Sequence, residues 1–396
     1  MSASSAAHPV AAMEPRFASV IASICLQGTE KMGFLEMKAG APAVRGIDFS
    51  GHALPIRRSE LVQQVQNQKD ADTMALEPVL SGMVYMLGMD PDFREAPFYR
   101  KILATLKSDP VQYAISVGHR ALQESSAVTE KASRLFALAA MRAAFLWDSE
   151  RTDAAVAYGD VLWRTAEVRT QVSEREALDT CGKRLLEQVL RRDEKTPQAL
   201  LSLGERAARQ GDFLTSDGYL KKALSCTEDP KRIDVILRYR EAIAADVALA
   251  NALYFIRRAD YRKAEEYLLR AQKKGERYDV SYYLGVCYAN VGLFSEAVCA
   301  FRTALTQGAD FPEAYRDCAF ALAGNGEGAQ ALQMLARGLQ KFPADLRMRY
   351  NRAVLLGEAG KVSEALSDCD FILEYADLSD EMFNQVMQLK EALTRA

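Results

Sequence analysis

The C-terminal half of the chain repeats itself every 33 or 34 residues, and this period restricts the possible folds more than any other feature of the sequence. Four segments align, and each opens on a small residue: Ala252, Gly285, Ala319 and Ala353. Twelve positions later lies a second column of small residues, at Ala264, Ala297, Ala331 and Ala365. Four positions further on lies a column of mostly larger residues, at Leu268, Phe301, Leu335 and Cys369. Three columns in phase indicate stacked copies of one structural unit.

Each unit reads as two helices joined by a turn. Its apolar residues recur every three or four positions, which is the period of an α-helix. Small or polar residues interrupt the units halfway, at Ala259-Asp260, Gly292, Gly324-Asn325-Gly326 and Gly360. Two antiparallel helices, here called helix A and helix B, approach closely only where side chains are small. One pair cannot bury its own apolar face, so neighbouring pairs must stack and share a core.

One unit is similar to a tetratricopeptide repeat through Leu284-Gly285, Tyr288, Ala297, Phe301 and Ala304. The chain resembles that family over about half of its length. The resemblance implies an all-α fold, a right-handed superhelical solenoid of antiparallel helix pairs, joined here to a helical N-terminal region. In the family's register, repeats begin near Pro197, Ala245, Tyr278, Pro312 and Leu346.

The repeat that begins at Pro197 departs from this pattern. It carries Ser216 where the other repeats carry alanine, and 48 residues separate its start from that of the next repeat at Ala245. The excess over a period of 34 residues predicts a lengthened or additional helix around residues 228–244.

The N-terminal half lacks a clear repeat, but its apolar pattern predicts helices. Asp109-Pro110 marks the start of one helix, and a capping box from Ser173 to Glu176 marks the start of another. Residues 132–167 are interpreted as a degenerate repeat with Ala143 and Ala155 at the two small positions. The predicted helices cover residues 59–66, 73–87, 97–106, 109–123, 128–147, 151–166 and 173–192.

Five regions follow from these patterns. The last helix is polar on one side, as expected of a segment that caps the end of a solenoid. The regions are a disordered N-terminus (1–15), a loop-rich segment that includes a short strand or loop (16–57), a helical region with a degenerate repeat (58–196), the repeat array (197–378) and a capping helix (379–396).

The sequence contains no catalytic motif in its required context, so we expect no enzymatic activity. The run from Gly324 to Gly328 resembles a phosphate-binding loop, but it lies in the turn between two helices and follows no strand. The three histidines, His8, His52 and His119, are far apart and none lies beside a cysteine. We therefore expect no zinc site and no cofactor.

Charge disfavours a nucleic-acid partner. The formal net charge is −3, whereas nucleic-acid binders are usually basic. Residues 231–277 hold twelve Lys and Arg against seven Asp and Glu, a balance typical of a solvated helical surface. An RNA-binding helical repeat is the third interpretation. The RNA-reading arrays related to this family repeat every 35 residues, and this chain does not.

The cysteines and the N-terminus bear on localisation. Seven scattered cysteines without a C-x-x-C pair are typical of free thiols in a reducing compartment, so we expect a cytoplasmic protein. No apolar stretch is long enough to span a membrane. Residues 17–26, however, follow Arg16 and end near Cys25. The second interpretation is therefore an exported periplasmic lipoprotein, anchored through Cys25, that partners a transporter, although Ile24 is a poor residue before a lipid-attachment cysteine.

The leading interpretation is a scaffold that binds a partner protein or an extended peptide. In tetratricopeptide arrays helix A lines the concave groove where partners bind, and the resemblance assigns this role to a set of exposed helix-A positions here. An extended peptide would stack on aromatic residues of this set, and the arginines Arg316 and Arg347 of this chain would pair with a carboxylate or the C-terminus of the peptide. The same aromatic residues would alternatively pack in the core. The predicted contact residues are Leu249, Leu253, Arg257, Tyr282, Val286, Asn290, Arg316, Phe320, Arg347, Tyr350 and Asn351.

Two further expectations concern the partner. Members of the family that bind chaperones hold a terminal carboxylate with Lys and Asn residues in three successive repeats. In this chain Asn351 alone matches that pattern, so a heat-shock chaperone adaptor is not expected. A homo-oligomer is compatible with the sequence, because solenoid ends and the long N-terminal region can both self-associate.

Overall fold

A computed structural model describes residues 15–27, 32–37, 46–58, 76–124, 130–375 and 378–395. Within these ranges the chain forms nineteen α-helices and one two-stranded sheet, so the predicted all-α class is confirmed. The residues predicted as a disordered N-terminus lie outside the described residues except for the last, and the helix predicted at 59–66 lies outside them entirely. Contacts divide the chain into two compact units: Met1–Arg206 with Tyr219–Ile233, and Ala207–Gly218 with Asp234–Ala396.

Unit 1 begins with a helix and a β-hairpin and continues as helices. The strands pair antiparallel, with Phe34 opposite Pro55. The division between the two units falls after Arg206, Gly218 and Ile233. The elements up to that division are α1 (Pro15–Leu26), β1 (Met32–Glu36), β2 (Ala53–Arg57), α2 (Leu76–Met89), α3 (Ala96–Leu106), α4 (Pro110–Gln123), α5 (Glu130–Trp147), α6 (Thr152–Ala166), α7 (Val172–Arg192), α8 (Pro197–Arg209), α9 (Phe213–Ser225) and α10 (Pro230–Ala242).

Helix α5 lies at the centre of unit 1. Its residues from Ala137 to Ala140 are fully buried. Helix α2 approaches it so closely that a Cβ atom at Gly88 would lie 1.7 Å from the carbonyl oxygen of Ala139. Arg142 of α5 donates hydrogen bonds to the carbonyl oxygens of Gly88 and Met89, at 2.8 and 3.1 Å. This buried guanidinium satisfies carbonyl groups that the end of α2 would otherwise leave unpaired.

The start of α4 is predicted correctly, whereas the capping box at α7 is wrong. Asp109 caps α4, because its carboxylate accepts a hydrogen bond of 3.0 Å from the amide of Gln112. Helix α7 already begins at Val172, with Gln171 at the N-cap and no side-chain hydrogen bond there. Ser173 therefore lies inside the first turn of the helix and cannot cap it.

Unit 2 contains four of the predicted helix pairs, and the helices of the repeat predicted at Pro197 are divided between the two units. Each helix A packs on the helix B that follows it, and each helix B packs on the next helix A. The pairs are α11 (Ala244–Ile256) with α12 (Tyr261–Gln272), α13 (Tyr278–Asn290) with α14 (Phe294–Thr306), α15 (Pro312–Gly324) with α16 (Gly328–Lys341), and α17 (Leu346–Glu358) with α18 (Val362–Leu373); the last helix is α19 (Asp380–Arg395).

The three sequence columns form the seams between these helices. All twelve of their residues are buried, and the four alanines of the second column are completely inaccessible to solvent. A Cβ atom at Gly285 would lie only 2.7 Å from the ring of Phe301, which is in the third column. The columns thus mark where helices A and B touch, as the sequence predicts.

Helix α10 accounts for the 48-residue interval between two repeat starts. It occupies Pro230–Ala242, inside the stretch where the sequence predicts extra helical residues. That prediction is confirmed, and the extra residues form an additional helix.

Helix α19 covers the end of the last pair. Its Val386 and Leu393 are buried in a cluster with Ala353 and Ile372. Gly357 of α17 leaves room for Leu393, because a Cβ atom there would lie 2.6 Å from the leucine methyl group. Among the described residues, no helix is both long and apolar enough to cross a membrane.

Candidate protein-binding surface

The predicted contact residues lie on α11, α13, α15 and α17, the four helices A of unit 2, apart from Arg257, which is the C-cap of α11. Helix α13 touches α15, and α15 touches α17, so their outer sides adjoin. We call the surface made by the eleven predicted contact residues the helix-A face. Some of these side chains are exposed, and others form hydrogen bonds, ion pairs or ring contacts with neighbouring helices.

Tyr282 is held within the protein. Its hydroxyl donates a hydrogen bond of 2.6 Å to Oδ2 of Asp317, which joins α13 to α15. Its ring meets Phe311 edge-on at 5.0 Å and lies 5.7 Å from the ring of Phe301. Burial, and then the hydrogen bond to Asp317, raise the pKa of Tyr282. The side chain therefore contributes to packing between two helices A as well as to the surface.

Asp317 is a functional candidate that the list of predicted contacts omits. Burial raises the pKa of its carboxyl above 3.8, and this effect exceeds the opposing one of the Tyr282 hydrogen bond. Asp317 occupies the sixth position of the repeat that begins at Pro312, and the sixth position is one that the family register exposes. The register of the repeat was therefore enough to identify Asp317 as a candidate from the sequence.

Arg316 already has partners within the chain. Its guanidinium lies 3.1 Å from Asp345 and 2.8 Å from Glu313. Asp345 also caps α17 by accepting a hydrogen bond of 2.6 Å from the amide of Met348. The arginine thus ties α15 to the start of α17, and a ligand carboxylate would have to compete with two carboxylates already present.

Phe320 is the most exposed large apolar residue among those described, at 60%. Its neighbours Ala319 and Ala321 are buried, so the exposure belongs to the outer side of α15 alone. The centre of its ring lies 6.0 Å from that of Phe294, and the two rings meet edge to face at an angle of 75°. This side chain exposes an apolar surface to solvent.

The remaining predicted contacts vary in exposure. Arg257, Asn290 and Arg347 are exposed, although Asn290 donates a hydrogen bond of 2.8 Å to the carbonyl of Val286 in its own helix. Tyr350 packs partly against the cluster beneath α17. The residues that are half-buried are Leu249, Leu253, Val286, Tyr350 and Asn351.

No group of three or more His, Cys, Asp or Glu side chains within the described ranges is arranged to hold a metal ion. The side chains of the helix-A face are suited to apolar contact, hydrogen bonding and ion pairing.

Comparison with known proteins agrees with the repeat analysis. A family model described as tetratricopeptide repeat matches residues 249–312 and 319–372. No curated protein sequence matches the chain.

Several solved structures are similar to part of the chain. "YrrB: a TPR protein with an unusual peptide-binding site" is 15% identical, covering 53% of this chain and 95% of its own, with a TM-score of 0.35. PilW, a "widely conserved type IV pilus biogenesis factor", is 15% identical, covering 57% and 97%, with a TM-score of 0.38. Pseudomonas aeruginosa pilF is 19% identical, covering 51% and 86%, with a TM-score of 0.35.

The family match and the structure coincide. The matched residues run from α11 to α18, through the four helix pairs and the buried columns between them. This chain therefore contains tetratricopeptide repeats at residues 249–312 and 319–372.

Proposed function

We propose that the protein is a non-enzymatic scaffold that binds a partner protein through an extended peptide segment laid along the helix-A face. Tetratricopeptide repeats mediate protein–protein interactions, which supports the general role. The observation that carries the proposed site is Phe320, which exposes 60% of its surface between buried neighbours. Large aromatic side chains of this kind are enriched among the residues that dominate binding energy.

The experiment begins with the full chain and a displayed library of random twelve-residue peptides. The sequences enriched by the wild-type protein are synthesised with a fluorescent label, and their affinities are measured by fluorescence anisotropy. We expect Phe320→Ala to weaken binding about tenfold, because it removes the most exposed apolar contact from the surface.

A matched control is available on the capping helix. Phe383 is also exposed, at 46%, but it lies on α19 and not on a helix A. Phe383→Ala should leave the affinity unchanged. The proposed function fails if the wild-type chain enriches no peptide, and the proposed site fails if both variants bind as wild type does.

We also propose a reducing, cytoplasmic location, supported by the cysteines. All seven thiols are free, and five of them are buried. The lipid-anchored alternative requires Cys25 to become the first residue of the mature chain. Cys25 is completely buried, and Ile21 and Ile24 of the same helix lie in the core of unit 1, so cleavage there would remove core residues. Intact-mass measurement of the protein from its native host tests this, since a chain that begins at Cys25 and carries lipid would refute it.

A further inference from the structure

Asp317 is a half-buried carboxylate that forms no ion pair with any residue the structure describes. Its Oδ2 accepts the hydroxyl of Tyr282, and within the described part of the chain neither a hydrogen bond nor an ion pair engages Oδ1. Oδ1 is not among the buried atoms that lack a partner, so it keeps access to solvent. Removing a carboxylate from water without a compensating charge is unfavourable. The raised pKa of Asp317 has this cause.

The nearest positive charge does not compensate for it. Arg316 acts on Asp317 only at a distance, and its guanidinium is in contact with Glu313 and Asp345. Arg316 lowers the pKa of Asp317 more than Glu313 raises it, but together with the Tyr282 hydrogen bond it does not offset the effect of burial. The guanidinium is in contact with Glu313 and Asp345 and not with Asp317, so an ionised Asp317 would attract a ligand cation and repel a ligand carboxylate.

Aromatic rings extend the same site. Tyr282 contacts Phe311, and the ring of Phe311 lies 6.4 Å from that of Tyr278, which is 46% exposed. The faces of aromatic rings attract the ammonium of lysine and, more often, the guanidinium of arginine. A carboxylate beside such rings can bind both the charge and the apolar stem of a basic side chain.

We propose that the partner segment presents a lysine or arginine side chain to Asp317, which lies beside Tyr282 of the helix-A face. This inference rests on the proposed function and adds the chemistry of the ligand. It replaces the expectation, based on Arg316, that this part of the surface receives a carboxylate. Arg316 is instead a positioning residue that holds Glu313 and Asp345 near the site.

The peptide selection described above also tests this proposal. We expect the peptides enriched by the wild-type chain to share a lysine or arginine at one position. Asp317→Asn should abolish the preference at that position, because the amide keeps the size of the side chain and an oxygen for the Tyr282 hydroxyl but carries no charge. Glu358→Gln is the matched control. It removes one negative charge from an exposed position on another helix A, α17, away from Arg316 and Asp317, and the preference should remain.

A double-mutant cycle then isolates the pair. The cycle uses the selected peptide with the highest affinity. Asp317→Asn in the protein, or glutamine in place of the shared basic residue of the peptide, should each weaken binding about tenfold. The two changes together should weaken binding no further than either one alone. Additive losses would overturn the proposal, because they would mean that the two groups do not meet.

The outcomes separate this proposal from the function on which it rests. If the wild-type chain enriches no peptide, the proposed function fails and the inference with it. If peptides are enriched but show no basic position, or an acidic one, the inference alone fails. Far-ultraviolet circular dichroism of Asp317→Asn, which should match wild type and melt no lower, shows that any lost affinity is not lost folding.

Discussion

The alanines of the second sequence column show how a single methyl group sets the distance between two helices. Ala331 is completely buried where α16 contacts its neighbours, and Leu335 of the third column lies one turn further along the same helix. Protein interiors are close-packed, so a larger side chain at residue 331 has no space to enter. The small residue is therefore a requirement of the contact.

Ala331→Leu should lower the free energy of unfolding by about 1–3 kcal/mol, because it overpacks this contact. Urea denaturation followed by circular dichroism measures the change. Ala329→Leu is the control, since residue 329 is exposed on the same helix. It should alter stability by less than about 0.5 kcal/mol. Equal stability of the two variants would contradict the register of the repeats.

Asp317 lowers the free energy of unfolding at neutral pH, because burial opposes the ionisation of its carboxyl group. An ion pair with a ligand would offset that cost. Its pKa in the folded state is raised above the ordinary 3.8. Between these two values the folded state binds more protons than the unfolded state, so stability falls as pH rises through that window. A partner cation would recover what the unpaired carboxylate loses.

Asp317→Asn should therefore be more stable than wild type at pH 7, and the difference should shrink as the pH falls toward 3.8. Thermal melts from pH 7 down to pH 4 measure this. A variant that is less stable than wild type at pH 7 would show that the charge of Asp317 stabilises the fold. A gain in stability together with a loss of affinity is the pattern expected of a binding residue.

At the scale of elements, the turns between helices A and B share one backbone conformation. Gly292, Gly326 and Gly360 have φ angles of 80°, 80° and 74°. The first turn places Ala259 in the same region, at 57°, and it is the sole residue other than glycine with positive φ in the described chain. A side chain in this region meets the following carbonyl oxygen, which costs about 1–2 kcal/mol.

Ala259→Gly should raise the free energy of unfolding by about 0.5–1 kcal/mol, because the relief of this strain exceeds the entropy that glycine adds to the unfolded chain. The reverse change, Gly292→Ala, should lower it by about 1 kcal/mol. No heavy atom lies within 4 Å of a Cβ atom built at Gly292, so only the backbone opposes that change. Urea denaturation of both variants checks the prediction, and equal signs would contradict it.

At the scale of the whole molecule, the reactivity of the cysteine thiols tests which residues are buried in both units. Cys299 is exposed and Cys226 is intermediate, whereas the other five thiols are buried. Burial suppresses ionisation, and only the thiolate reacts with disulfide reagents. Burial raises the pKa to about 11 for Cys25 and Cys318 and to about 12 for Cys181 and Cys287.

We therefore expect a native sample at pH 8 to react with a thiol-specific disulfide reagent at no more than two positions. Cys299 should react fast and Cys226 more slowly. In denaturant all seven should react. Mass spectrometry after alkylation identifies which residues reacted. Rapid native reaction at Cys25 or Cys318 would contradict the packing of unit 1 or of the array, respectively.

The sequence alone determined the local structure of the array. The period of the small residues placed the helix contacts, and Gly292, Gly326 and Gly360 placed the turns, because helix geometry and backbone strain act over a few residues. The same rules predicted extra helical residues near position 230. The capping box at Ser173 is wrong because the N-cap lies two residues earlier, at Gln171, and a signal of this kind does not fix a boundary to the residue.

Only the tertiary structure decided which side chains of the helix-A face are free. Sequence treated Tyr282 and Arg316 as open to a ligand, but Tyr282 bonds Asp317, 35 residues away, and Arg316 pairs with Asp345, 29 residues away. Such pairings depend on how successive helices A align in space, which neither periodicity nor propensity records. The same alignment leaves Asp317 without an ion pair among the described residues, because Arg316, beside it in sequence, contacts Glu313 and Asp345.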